Sequence, residues 1–169
     1  MRNIRRKKVC IIGASAVGKT SLVTTYSGAS FSSSYQSTLG VKITTAVVTI
    51  SERLKELVVW DIKGESEFYR IPPVYLSGCD GCVLVADGTR RATVEHALDL
   101  RTRMKEIAGE IPHVMLINKM DLSDIWEVDE ALLSSIRAQV KDVYTCSARG
   151  GITIHTAIEA LAREMGGVK

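Results

Sequence analysis

The chain predicts an α/β fold: a six-stranded, mostly parallel sheet with one antiparallel hairpin strand at its edge and helices on both faces. Three observations carry this. Short apolar runs, two of them opened by Lys8 and His113, recur at residues 8–12, 82–86 and 113–117, as strands buried on both faces of a parallel sheet require. Segments with apolar residues at helical spacing follow them. The β-branched runs 43–50 and 54–60 are joined only by Ser51-Glu52-Arg53, too short for a crossover, so they pair as an antiparallel hairpin.

In chain order, the first strand leads into Gly13-Ala14-Ser15-Ala16-Val17-Gly18-Lys19-Thr20, and a helix then runs unbroken towards Gly28. The Ser- and Gly-rich stretch 27–38 reads as a loop, as do residues 61–64. Residues 68–76 read as a short helix weakened by Pro72 and Pro73, with Pro72 placed to start its turn. Thr93 is expected to cap a helix carrying Val94, Ala97, Leu98, Met104 and Ile107 on one side. Leu132, Leu133, Ile136 and Val140 form the next stripe, residues 143–145 a last strand, and Ile154, Ile158, Leu161, Ala162 and Met165 a terminal helix. In such sheets ligands lie beyond the carboxyl ends of the strands.

A length of 169 residues suits one domain spanning 1–169, with a basic arm over 1–7 and a frayed end over 166–169. The net charge of +3 sits largely in that arm, which reads as solvated; no nucleic-acid partner is expected. No apolar run is long enough to span a membrane, and no signal-peptide core follows the basic start. Position 2 is Arg rather than Gly and no cysteine stands near the end, so no lipid anchor and a cytoplasmic location are expected. Cys79 and Cys82 form a lone C-x-x-C with no second ligand pair; with Cys10 and Cys146 they read as reduced packing cysteines. His96, His113 and His155 carry no ligand spacing.

The 13–20 stretch fits G-x-x-x-x-G-K-[ST], with the strand before it and the helix after it that the pattern needs. Its backbone N–H groups would cradle phosphates at the helix N-terminus. Lys19 would reach the β- and γ-phosphates and the Thr20 hydroxyl would ligate Mg²⁺. Three further motifs make the chain resemble the Ras superfamily, in a Rab-like form. Asn118-Lys119-Met120-Asp121 resembles the guanine-reading N-K-x-D, and the Asp121 carboxylate can accept both guanine N1–H and the exocyclic amine, an arrangement adenine does not offer. Cys146-Ser147-Ala148-Arg149 resembles S-A-K, with Arg in place of Lys, and implies an Ala148 N–H on the guanine carbonyl. Asp61-Ile62-Lys63-Gly64 resembles D-x-x-G, which implies Asp61 on Mg²⁺ through water and the Gly64 N–H on the γ-phosphate. The stretch Phe31 to Gly40 is similar to a Rab first switch, with Phe31 edge-on to guanine and Thr38 on Mg²⁺ in the triphosphate state.

The resemblance spans nearly the whole chain and leaves no room between Asp121 and Ser147 for the extra helix of Rho proteins. It implies a P-loop NTPase G domain that binds GTP or GDP with Mg²⁺ and hydrolyses GTP. Ser15, Ala16, Val17, Ser21, Tyr35 and Lys119 join the nucleotide contacts, and Lys19, Thr38, Gly64 and residue 65 the catalytic set. Effectors, exchange factors and activating proteins would read the two switches. Glu65 departs from the pattern, because the family has a water-orienting glutamine there. Glutamate lacks the amide donor and brings like charge to a polyphosphate, so slow intrinsic hydrolysis is expected. Lys63 is also unusual and could pair with Glu65 or reach the γ-phosphate. A non-hydrolysing guanine-nucleotide module and a Roc-like domain of a larger protein stand as alternatives.

Overall fold

A computed structural model of the chain describes residues 6–27, 31–36, 40–50 and 53–167. The strands are β1 (Arg6–Gly13), β2 (Phe31–Gln36), β3 (Val41–Ile50), β4 (Arg53–Ile62), β5 (Gly81–Asp87), β6 (His113–Asn118) and β7 (Asp142–Thr145). The helices are α1 (Lys19–Ser27), α2 (Pro73–Leu76), α3 (Arg91–Ala108), α4 (Glu130–Arg137) and α5 (Ile152–Gly167). They build one seven-stranded sheet in the order β2-β3-β4-β1-β5-β6-β7. Strands β4-β1-β5-β6-β7 run parallel, while β3 pairs antiparallel with β4 and β2 antiparallel with β3.

The six expected strands are all present. The seventh, β2, lies inside the stretch that reads as a loop from its serines, and it lengthens the antiparallel edge. Strand β5 is buried along its whole length, as its apolar composition requires. One face of the sheet packs Val9, Val83 and Leu116 against Ile158 and Leu161 of α5. The other packs Ile12, Leu84 and Ile117 against Val94, Ala97 and Leu100 of α3. Of the stripe expected on α3, Val94, Ala97 and Met104 are buried, with Leu98 and Ile107 only partly so.

Three local expectations change. Pro72 is extended, because the residue before a proline is pushed out of the helical region, and Pro73 takes the first helical position instead. The helix expected over 68–76 is therefore only Pro73–Leu76. Thr93 does not cap α3, which starts at Arg91; its hydroxyl lies inside the first turn, accepting from the Asp87 N–H at 2.9 Å and donating to the Arg90 carbonyl at 2.7 Å. The basic arm is shorter than expected, since Arg6 and Lys7 belong to β1 and pair with Glu56 and Asp80. Arg2 and Arg5 lie outside the described residues, and α5 continues through Gly167.

Candidate nucleotide site

The loop after β1 meets the start of α1 at the sheet's carboxyl edge, where the ends of β4, β5 and β6 also arrive. Gly18 has φ +99°, and a methyl group there would lie 2.3 Å from Asn118 Nδ2, so only glycine lets the loop touch Asn118. Asn118 is 1% exposed and ties three segments together. Its amide donates to the Val17 carbonyl at 3.0 Å and its oxygen accepts the Ala148 N–H at 3.1 Å. The Ala148 N–H, expected on the guanine carbonyl, is thus turned to Asn118 in this conformation. Ser147 Oγ donates to Asp121 Oδ1 at 2.7 Å and, with Arg149 Nε 3.5 Å from Oδ2, holds that carboxyl below the usual carboxylate range. Asn118, Asp121, Ser147, Ala148 and Arg149 therefore converge as the motifs imply.

On the phosphate side a cavity of about 450 Å³ is lined by Gly18, Lys19, Thr20, Ser21, Asp61 and Gly64, among others. Lys19 is 6% exposed and donates to the Ala14 carbonyl at 2.8 Å; burial lowers its pKa to about 8, against the attraction of Asp61. Thr20 Oγ1 donates to Asp61 Oδ2 at 2.6 Å. Burial raises the Asp61 pKa, and the Thr20 hydrogen bond and Lys19 oppose that. A hydroxyl and a carboxylate meeting beside a phosphate loop are hard oxygen donors of the kind Mg²⁺ takes, so these two residues fit the metal. Thr38 lies outside the described residues, and so do the side chains of Phe31 and Tyr35 on β2.

Glu65 is not among the residues that line this cavity. Its main chain bridges to the phosphate loop, with Ser15 N–H donating to its carbonyl at 2.8 Å and its own N–H donating to the Gly13 carbonyl at 3.2 Å. Its carboxylate turns away, towards α3. There Oε1 accepts from Ile71 N–H at 2.8 Å and Arg103 Nη1 at 2.6 Å, while Oε2 lies 3.4 Å from Arg70 Nη1 and 3.2 Å from His96 Nε2. Burial raises this carboxyl's pKa, but the Arg103 and Ile71 hydrogen bonds outweigh it and hold the group ionised. In this conformation the Glu65 carboxylate is taken by Arg103 of α3 and by the Ile71 N–H. Lys63 does not pair with it either. Its ammonium lies over the Tyr69 ring, 4.9 Å from the centroid, and its N–H donates to the Gly40 carbonyl at 2.7 Å.

Sequence reasoning missed Asp87 and Arg90. The Asp87 carboxylate, buried at the end of β5, is held by Lys119 Nζ at 2.7 Å, Arg90 Nε at 2.9 Å and the Thr89 N–H and hydroxyl. Arg90 also donates to the Ser15 carbonyl at 3.0 Å, linking the guanine-reading segment to the phosphate loop. A polar residue closing a fully apolar strand is the signal that could have found Asp87. Burial raises its pKa, but the Lys119, Thr89 and Arg90 hydrogen bonds bring it down to about 2. Because that lies below the unfolded value, the stabilisation is full at neutral pH and is lost as pH falls from about 4 through 2. Asp87→Asn is expected to cost about 2 kcal/mol at pH 7 and roughly half that at pH 3, read by denaturant unfolding at both. An equal cost at both pH values would refute the electrostatic origin.

The sequence pattern described as the Ras family matches residues 8–166. The chain is 32% identical over 168 residues to Ras-related protein Rab-7b of Homo sapiens, covering 95% of this chain and 84% of that protein. It is 33% identical over 169 residues to the Ypt/Rab-type GTPase avaA of Emericella nidulans, covering 92% and 80%. It is 32% identical over 165 residues to the Ypt/Rab-type GTPase YPT7 of Saccharomyces cerevisiae, covering 92% and 79%. With the phosphate loop, D-x-x-G and guanine-reading segments brought to one sheet edge, the chain belongs to the Ras family, among Rab-like small GTPases.

Proposed function

We propose that this GTP-binding switch holds the nucleotide between residues 13–20 and 118–149, uses Thr20 and Asp61 for Mg²⁺, and hydrolyses GTP slowly. GTP binding and hydrolysis are properties of the family to which it belongs. The observation that carries the reading for these residues is Asn118, which joins Val17 of the phosphate loop to Ala148 beside Asp121. Bound Mg²⁺ would neutralise phosphate charge; Lys19 supplies a second cation and the Gly64 N–H a donor for the terminal phosphate. Glu65, held on α3, contributes no water-orienting amide, and this supports a slow intrinsic step.

The second switch, taken as residues 62–75, also offers a surface for effectors and regulators: Phe68 is 95% and Val74 70% exposed. Among the described residues no helix is long and apolar enough to cross a membrane. The defining experiment measures GTP, GDP and ATP binding together with single-turnover phosphate release. Guanine nucleotides should bind far more tightly, and equal ATP affinity would overturn the reading. Asp121→Asn should weaken GDP binding roughly thirtyfold, the equivalent of about 2 kcal/mol of charge-assisted hydrogen bonding. The same variant should gain affinity for xanthosine diphosphate, whose C2 carbonyl accepts from the new amide. If xanthine binding does not improve, Asp121 is not the base reader.

A further inference from the structure

Glu65 is anchored twice. Its backbone forms the bridge to Ala14, and its carboxylate is gripped by Arg103 and Ile71. We propose that Arg103 is a positioning residue that, through Glu65, holds the second switch against the phosphate loop and thereby sets a preference for GDP over GTP. This inference rests on the GTPase reading above.

The geometry gives the direction. Gly64 lies so close to the loop that a methyl group on it would stand 2.5 Å from the Ala14 carbonyl oxygen, 2.6 Å from Ser15 Cα and 2.6 Å from Lys19 Nζ. A terminal phosphate that takes both the Gly64 N–H and the Lys19 ammonium has to part these groups. Parting them breaks the bonds from Ser15 N–H to the Glu65 carbonyl and from Glu65 N–H to the Gly13 carbonyl. A diphosphate makes no such demand. The carboxylate clamp resists the movement, because Glu65 is a single residue and its backbone cannot lift freely while its side chain is fixed.

The clamp joins a buried carboxylate to a half-buried guanidinium. Glu65 is 3% exposed, and the Arg103 guanidinium that donates to it also donates to the Ile71 carbonyl at 3.1 Å. Arg103 thus holds both ends of residues 65–71, closing the segment into a loop on α3. His96 Nε2 lies 3.2 Å from the same carboxylate two turns earlier on the helix, and Arg70 reaches it from the loop itself, so Arg103 works beside a second guanidinium. Loosening Arg103 frees the segment without touching any residue that faces the nucleotide. A ligand shifts an equilibrium between two conformations only by its differential affinity for them. Weakening the clamped conformation must therefore favour the triphosphate selectively.

Equilibrium affinities for GDP and a non-hydrolysable GTP analogue should be measured on the full chain for wild type, Arg103→Met, Arg103→Lys and Glu65→Gln. The ratio of the two affinities should move towards the GTP analogue by about tenfold in Arg103→Met and Glu65→Gln, a shift of about 1.4 kcal/mol. Arg103→Lys keeps a donor to the carboxylate and should rescue part of the effect. Parallel losses of both affinities with an unchanged ratio would show a merely structural role and overturn the proposal. Should Arg103→Met fail to fold, exchange of the Ser15 amide in wild type decides. Slow exchange with GDP and fast exchange with the analogue supports the clamp, and equal protection in both overturns it. If wild type binds no guanine nucleotide, the reading beneath the proposal has failed, a result distinguishable from an unchanged ratio.

Discussion

Asn118→Ala is expected to weaken guanine-nucleotide binding at least a hundredfold and to lower stability by about 2–4 kcal/mol. The amide spans a buried junction, so truncation leaves two backbone groups, the Val17 carbonyl and the Ala148 N–H, without their partner. Each unsatisfied buried group costs about 1–3 kcal/mol. The affinity loss comes on top, because the phosphate loop and the guanine-reading segments are no longer held in register and must be ordered by the ligand. Gly18 cannot compensate, since its positive φ and close approach were shaped by the side chain now removed. Asn118→Asp separates the two roles: it still accepts from Ala148 but sets a buried carboxylate against the Val17 carbonyl, so it should be at least as destabilising as alanine. Calorimetric titration with GDP and denaturant unfolding of all three proteins give the test. Unchanged GDP affinity in Asn118→Ala would mean that the junction does not organise the site.

What could be read from the sequence divides along a physical line. The phosphate loop and the N-K-x-D and S-A-x segments were legible because each is local: a strand, a turn and a few side chains specify it. Strands β1, β5 and β6 were legible for the same reason, since burial on both faces leaves a central apolar run in each. Strand β2 was not, because its serines favour turns and its pairing comes from β3 rather than from its own composition. Pro72 and Pro73 each permit a helix start, and only the restriction that a following proline imposes on Pro72 decides between them. Glu65 was visible as an anomaly, but its explanation was not. Arg103 stands 38 positions away on α3, and no local pattern says that this arginine rather than Lys63 takes the charge. Long-range polar pairing is where sequence reading stops, and here it decides what residue 65 does.

The last expected result concerns the hydrolysis step. Glu65→Gln should raise single-turnover phosphate release by roughly ten- to a hundredfold, less than the roughly hundred- to thousandfold of a fully placed transition-state donor because the residue must first leave α3. Two effects act together. Glutamine is neutral, so Arg103 and Arg70 lose the charge they grip, and the residue is freer to leave α3. Once released, its amide can donate as well as accept, which orients water without bringing like charge to the phosphates. Lys63→Ala, in contrast, should leave the rate nearly unchanged in both backgrounds, because the ammonium lies over Tyr69 and Glu65 has other partners. Arg103→Met with Glu65 retained should gain little in rate, since a freed carboxylate still lacks a donor. The three single variants and the Glu65→Gln/Lys63→Ala double variant, compared at saturating GTP, separate these contributions. A rate that falls in Glu65→Gln would mean that the carboxylate itself takes part in hydrolysis. A rate that falls in Lys63→Ala would return the lysine to the site.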